Sequence, residues 1–366
     1  MRVLSNNLQR KISLGRSRTV FSALPGKLVK AFSAFSAFTA FSALSLTVFC
    51  TAAYADYSSH PKAAKVIDAL VDGHSFTRAE VEAVLRKAEP DQKILDGMAN
   101  AAEKTKTWTA YRKSFLNEWR IEKGVEFMQA HAELLSDAER RFGVPPHIVT
   151  AILGVETNYG GYTGKANVLN ALATLAFEHP RRGKFFTSEL TEFILLAREK
   201  GWQVDAVAGS RAGAMGMSQF MPSNYRRLAV DGNGDGAVDL FDAADAIASV
   251  AHYFEHHGWQ AGDPVTAQLR HQDSAKLTLK TKGIKPDTTW GALKQQGFEL
   301  DSSDSASKLG LSDETPARVI RFNDSDGDEM WLGLQNFYVI SRYNPRTKYA
   351  MAVYLLSQEL QLASAQ

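Results

Sequence analysis

The sequence predicts a mainly α-helical protein of the α+β class, carrying one small strand-rich insert. Three observations predict it. Apolar residues recur at three- and four-residue spacing over most of the chain; the stretch from Asp263 to Leu334 changes to short alternating segments; and helical spacing resumes after Tyr343-Asn344-Pro345. With 366 residues, 45% of them hydrophobic, the chain can bury a large core and has room for two or three subdomains.

Residues 1–55 read as an export leader. A basic stretch reaches Lys30, an apolar run follows from Ala31 to about Ala53, and Ala53-Tyr54-Ala55 is a small-x-small site that predicts cleavage before Asp56. The run contains the repeat Ala31-Phe32-Ser33, Ala34-Phe35-Ser36, Ala37-Phe38-Thr39, whose hydroxyl side chains make it a poor permanent membrane span. Cys50 is the single cysteine. Lipidation there is the lesser alternative, because Thr47-Val48-Phe49 lacks the small residue expected before a lipidated cysteine, so membrane contact is expected only if the leader or Cys50 anchors the chain. The mature chain then has no thiol, which excludes disulfides, thiolate metal sites and a cysteine nucleophile. The leader also holds seven Lys or Arg and no acid; without it 35 basic residues face 40 acidic ones, a net charge of −5. A nucleic-acid partner loses its main electrostatic support.

From 56 to 141 the spacing of Val66, Ile67 and Leu70, of Val81, Val84 and Leu85, and of Phe115, Leu116 and Trp119 predicts a helical subdomain. A second helical region, 142–262, is broken by turn-rich stretches at Gly160–Gly164, Gly209–Gly216 and Asp231–Gly236. The insert, 263–335, has candidate strands at Lys276–Lys280, Ala317–Phe322 and Met330–Leu334. In 336–366, Tyr349, Val353, Leu356 and Leu360 predict a helix returning to the core.

The chemistry-bearing residues lie mostly in 142–262. Glu156 stands four residues after Ile152 and seven after Val149, on the apolar side of a segment that starts at Pro145-Pro146 and is expected to stop at Gly160-Gly161, which sets it in the last turn beside a flexible loop, at the edge of a cleft. A carboxylate facing inward among aliphatic groups costs several kcal/mol unless it finds a partner or holds its proton, and a held proton is what a general acid needs. The competing reading is a structural pair with an arginine. Asp231-Gly232-Asn233-Gly234-Asp235-Gly236-Ala237 has oxygen side chains at alternate positions and glycine at the sixth, as a calcium loop does. Asp242 holds the twelfth position, where a Glu is usual, and Asp245 competes to close the site. A second acidic run, Asp324 to Glu329, has its glycine at the fourth place and reads as a hairpin turn. The small residues of Gly209–Pro222 suit either close ligand approach or tight packing. Tyr225, Tyr253, Trp259 and Tyr343 could stack on sugars or fill the core, and Arg181 and Arg182 could meet a carboxylate.

Together, Gly154-Val155-Glu156-Thr157, His179-Pro180-Arg181-Arg182, Ala212-Gly213-Ala214-Met215-Gly216 with Gln219-Phe220-Met221-Pro222, the calcium-type loop and Arg342-Tyr343-Asn344 closely resemble the membrane-bound lytic murein transglycosylase B family, over about residues 57–357. The resemblance implies a lysozyme-like core and nonhydrolytic cleavage of the β-1,4 bond between N-acetylmuramic acid and N-acetylglucosamine, leaving a 1,6-anhydromuramic end. It implies Glu156 as the single acid/base, with Ser210, Gln219, Tyr253, Tyr343, Asn344 and Tyr349 in the cleft. Ser210 and Asn344 would orient the N-acetyl group, and Arg181 and Arg182 would contact the peptide stem. Asp231, Asn233, Asp235, the Ala237 carbonyl and Asp245 would bind a structural Ca2+, with no organic cofactor. A periplasmic monomer acting on peptidoglycan glycan strands is the expectation. The lipidation box and the long basic leader depart from the family's pattern. Two rival functions remain at this stage: a muramidase that uses water, and a calcium-dependent peptidoglycan-binding protein.

Overall fold

The computed structural model describes residues 56–99, 106–271, 283–301, 305–324 and 327–365. The leader with its repeat and Cys50, and the candidate strand at Lys276–Lys280, lie outside the described residues. Six helices come first: α1 (Ala63–His74), α2 (Arg78–Arg86), α3 (Gln92–Ala99), α4 (Trp108–Phe115), α5 (Glu118–Ala130) and α6 (Ala132–Phe142). Their starts follow local chemistry. Thr77 and Glu80 form a reciprocal capping box for α2, while Thr107 and Asn117 cap α4 and α5 by accepting the amides of Ala110 and Arg120.

The next group is α7 (Pro146–Thr157), β1 (Ala166–Asn167), α8 (Val168–Glu178), α9 (Gly183–Lys200), β2 (Ala208–Gly209), α10 (Pro222–Leu228) and α11 (Ala243–His256). Eight of the twelve residues of α7 are buried. It is a core helix covered on almost every side, by α5, α6, α11 and the C-terminal helix. β1 and β2 pair antiparallel, Ala166 opposite Gly209, a ladder that the turn-rich composition of both segments concealed.

The insert comprises β3 (Thr266–His271), β4 (Thr288–Thr289), α12 (Trp290–Gln295), β5 (Phe298–Leu300), β6 (Pro316–Asp324) and β7 (Gly327–Gly333). All pairings are antiparallel, in the order β4-β6-β7-β3-β5. Asp324 pairs with Gly327, so the described ends of the second acidic run close an antiparallel pair of strands. Alternation divides β6 between two cores: Ala317 and Val319 join a small cluster with Leu269, Trp290 and Leu332, while Ile320 and Phe322 join the main core. Trp108 of α4 stacks on Phe322 at 4.4 Å and donates to Glu329 at 3.1 Å, fastening α4 to this strand pair. The chain ends with α13 (Gln335–Tyr343) and α14 (Thr347–Ser364), whose Tyr349, Val353, Leu356 and Leu360 are buried. Among the described residues no helix is long and apolar enough to cross a membrane.

Candidate active site

Glu156 is the penultimate residue of α7. The helix stops two residues before the glycines expected to end it, because Asn158 takes the left-handed conformation and its amide bonds back to Gly154 and Leu153. Asn158, Tyr159 and Gly160 have φ of 52°, 61° and 87°. For the two non-glycine residues this conformation costs about 1–2 kcal/mol each, so other contacts must hold it. Arg120 of α5, 9% exposed, supplies two: its guanidinium donates to the Asn158 side-chain oxygen, and its carbonyl accepts the Tyr159 hydroxyl at 2.7 Å. The Tyr159 ring lies against Gly154, where an added Cβ would come within 2.6 Å of it. Thr157 donates to the Met217 carbonyl at 2.9 Å and accepts the Gly160 amide at 3.0 Å, fastening the turn to the small-residue segment.

That segment is small for packing reasons. A Cβ at Gly216, whose φ is 72°, would meet the Leu240 carbonyl at 2.5 Å. Its fold carries Ser210 and Gln219 to the same cleft as Glu156, a space of about 540 Å³ also lined by Tyr162, Lys165 and, from the segment before α3, Asp91. The Ser210 hydroxyl oxygen accepts the Ala214 amide at 3.0 Å and the Ala212 amide at 3.3 Å, which leaves its O–H to donate to a ligand. The Gln219 amide nitrogen donates to Thr163 and Gly216 carbonyls at 3.0 and 2.9 Å, which fixes the side chain at the cleft wall.

Glu156 is half-buried and lines the cleft, the cleft-edge setting expected of a carboxylate in the last turn of α7 beside the glycine loop. The Tyr349 hydroxyl donates to Glu156 Oε1 at 2.5 Å. Burial, and then the Glu156 charge, push the Tyr349 phenol well above its ordinary range, so it stays a protonated donor. Tyr343 is held up by the same two causes and donates to the Ser218 carbonyl at 2.5 Å. Tyr253, buried behind it with ring centroids 4.8 Å apart, donates to the Arg342 carbonyl at 2.6 Å, and burial pushes its pKa up to about 12. Tyr253 is thus backing for Tyr343. Asn344 caps the end of α13 directly after it.

Arg181 and Arg182 are exposed in the turn before α9, and neither lines the Glu156 cleft. Arg182 lies over the Phe185 and Phe186 rings at 4.6 and 4.8 Å.

In the acidic loop Asp231 accepts the Gly234 and Gly236 amides at 2.6 and 2.8 Å, and the Gly236 amide foremost holds its pKa down. Asp235 accepts Ala237 at 2.8 Å and Asn233 accepts Asp235 at 3.0 Å. Asp245, 2% exposed, accepts Gly232 at 2.7 Å and Asp239 at 2.5 Å, tying the two ends of the loop together. Asp242 instead caps α11 through the Ala244 amide at 2.8 Å. Among the described residues no three His, Cys, Asp or Glu side chains are already gathered as a metal cluster. The donor set nevertheless fits a hard cation: every side chain offers oxygen, and the glycine at the sixth position has a φ of 86°.

The Transglycosylase SLT domain family matches residues 58–358. The chain belongs to that family. It is similar to the membrane-bound lytic murein transglycosylase B of Escherichia coli (strain K12), at 38% identity over 320 residues, 85% of this chain and 86% of the relative. It is similar in structure to the catenated lytic transglycosylase SltB1 from Pseudomonas aeruginosa, with TM-score 0.78 and 41% identity, covering 84% of this chain and 100% of that one. The Escherichia coli lytic transglycosylase SLT35, solved in complex with calcium, gives TM-score 0.75 and 38% identity, covering 85% and 96%. For this member of the family, sequence reasoning missed Tyr162, Asp91 and Arg120. Tyr162 had a local signal, an aromatic directly after Gly160-Gly161; the other two reach the site only through long-range packing.

Proposed function

We propose that this chain is a periplasmic lytic transglycosylase of peptidoglycan. The single observation that carries the reading is a half-buried carboxylate, Glu156, on a cleft wall with a protonated tyrosine hydroxyl 2.5 Å from it. The family and its murein-cleaving relatives support the substrate class. Glycosidases commonly use two carboxylates; here one acts twice. Protonated Glu156 gives its proton to the glycosidic oxygen between N-acetylmuramic acid and N-acetylglucosamine as the C1–O bond breaks. The substrate's N-acetyl carbonyl bonds to C1 as an oxazolinium ion, with the Ser210 O–H and Asn344 holding that group. Glu156, now a carboxylate, takes the proton of the muramic acid C6 hydroxyl, whose oxygen displaces the carbonyl from C1. Glu156 ends protonated, no water is consumed, and the product carries a 1,6-anhydro ring. Tyr349 positions the carboxylate between the two steps, while Gln219 forms part of the wall and Tyr343, backed by Tyr253, holds the Ser218 carbonyl next to it.

Asp231, Asn233, Asp235, the Ala237 carbonyl and Asp245 would hold Ca2+, which supplies fixed positive charge to the loop before α11 and no chemistry at Glu156. Asp245 rather than Asp242 would close that site, since its buried carboxylate already reaches both Gly232 and Asp239 of the loop, whereas Asp242 turns to the Ala244 amide of α11. Arg181 and Arg182 would meet a stem-peptide carboxylate at the cleft's margin. Incubating purified sacculi with wild type and with Glu156→Gln tests the reading: release of soluble fragments by the first and not by the second supports it, and comparable release by both removes Glu156 from its role.

A further inference from the structure

A second groove, of about 610 Å³, shares the turn after α7 with the cleft: Asn158, Tyr159 and Gly161 line the groove, and Tyr162 and Gly164 line the cleft. Its base is aromatic. Phe127, 8% exposed, stacks with Tyr159 at 5.7 Å between ring centroids. Its rim carries Trp119, which is 51% exposed in the first turn of α5. Polar groups line the same groove: Lys123, one turn along α5 from that indole and paired with Glu126 at 2.6 Å, and the His131 ring, packed on Phe127 at 4.4 Å.

A broad apolar ring left in water next to hydrogen-bonding side chains matches the two surfaces of a pyranose, one of C–H bonds and one of hydroxyl and acetamido groups. Tyr162, 57% exposed, repeats the same combination on the cleft side of the turn. The two exposed rings therefore flank one turn, and that turn follows Glu156 directly in the chain. The two linings meet in the chain at Gly161 and Tyr162, so a strand held at Tyr162 lies beside the turn that also lines the Trp119 groove. We propose that the Trp119 groove is an additional subsite for N-acetylated sugar units of the strand being cut, lengthening the site beyond the units that span the cleft. It rests on the peptidoglycan reading above. Peptide stems and unrelated proteins are the competing occupants, and the charge at the rim favours neither: Lys123 and Glu126 neutralise each other, which suits the uncharged N-acetylglucosamine unit of the strand.

Trp119→Ala tests it, in two arms. In the first, binding of long peptide-free glycan strands and of a tetrasaccharide of the same sugars is titrated on the Glu156→Gln background. Loss of one aromatic contact is expected to weaken long-strand binding about 3- to 10-fold and to leave tetrasaccharide binding unchanged. In the second, cleavage by the otherwise wild-type chain is expected to show a raised KM on long strands with kcat retained, and unaltered tetrasaccharide turnover, which also reports an intact fold. Equal affinity of both variants for long strands overturns the proposal. So does a loss seen only with peptide-bearing strands, which would assign the groove to stems. If the wild type releases nothing from sacculi, the functional reading falls, and the binding arm still decides the subsite.

Discussion

The Tyr349 hydroxyl reaches Glu156 from a position only 3% exposed, so its removal leaves a fixed change at the carboxylate and none in the outer cleft. Tyr349→Phe keeps the ring packing and deletes the donor. A hydrogen bond to a charged group is worth about 1.5–3 kcal/mol, so kcat is expected to fall about 10- to 100-fold while KM stays near its original value, as steady-state kinetics on glycan strands will read. A rise in KM with kcat intact would instead make Tyr349 a binding residue. Glu156 itself was legible in the sequence, because a lone carboxylate at positions spaced with Val149 and Ile152 conflicts with its surroundings. Its partner was less so: Tyr349 entered through family resemblance, and nothing local in Thr347–Leu360 distinguishes a hydroxyl that serves the site from an aromatic that fills the core.

At the scale of elements, α7 depends on how it ends. The left-handed pair Asn158-Tyr159 survives because Arg120 binds both residues and because Gly154 leaves room for the Tyr159 ring. Gly154→Ala forces that ring outward. Overpacking of this kind costs about 1–3 kcal/mol, and thermal denaturation is expected to show a lowered Tm together with reduced activity, since the turn carries Tyr162 into the cleft. An unchanged Tm would mean that the slot is not tight. The acidic loop makes a second prediction. Asp245→Ala is expected to abolish the rise in Tm on adding calcium, whereas Asp242→Ala should lose about 1 kcal/mol of helix capping and keep the calcium response; the reverse pattern would return closure of the site to Asp242. The start of α7 at Pro145-Pro146 could be read from sequence, because proline chemistry is local. The end could not, because Asn158 is held by a helix 38 positions away.

For the whole molecule, burial acts on histidines that the chemistry does not use. Burial pushes the His147 pKa down to about 4, and burial first, then Arg342, His256 and Arg227, does the same to His257. Both are therefore neutral in the folded chain at pH values where the unfolded chain, with a histidine pKa of about 6.5, already binds protons. A lowered folded pKa means that the associated stability is present above about pH 6.5 and is lost as pH falls through about 4. Tm is expected to drop across that window, and His147→Gln should shrink the drop; an equal drop in both would assign acid sensitivity elsewhere. The helical body and its return at Tyr349–Leu360 were readable because amphipathic spacing is a local record of burial. The β1–β2 ladder and the arrival of Asp91 in the cleft were not, since each joins segments whose own composition signals only turns or helix ends; Ser210 and Gln219 joined Glu156 there through the family resemblance, not through the composition of their own segment.

The most direct test of the central claim, that one carboxylate cuts the strand without water, is the mass of the fragments released from purified sacculi by the wild type. The account predicts muropeptides ending in 1,6-anhydromuramic acid, each lighter by one water than its hydrolysed counterpart. Fragments carrying reducing muramic acid ends would contradict it.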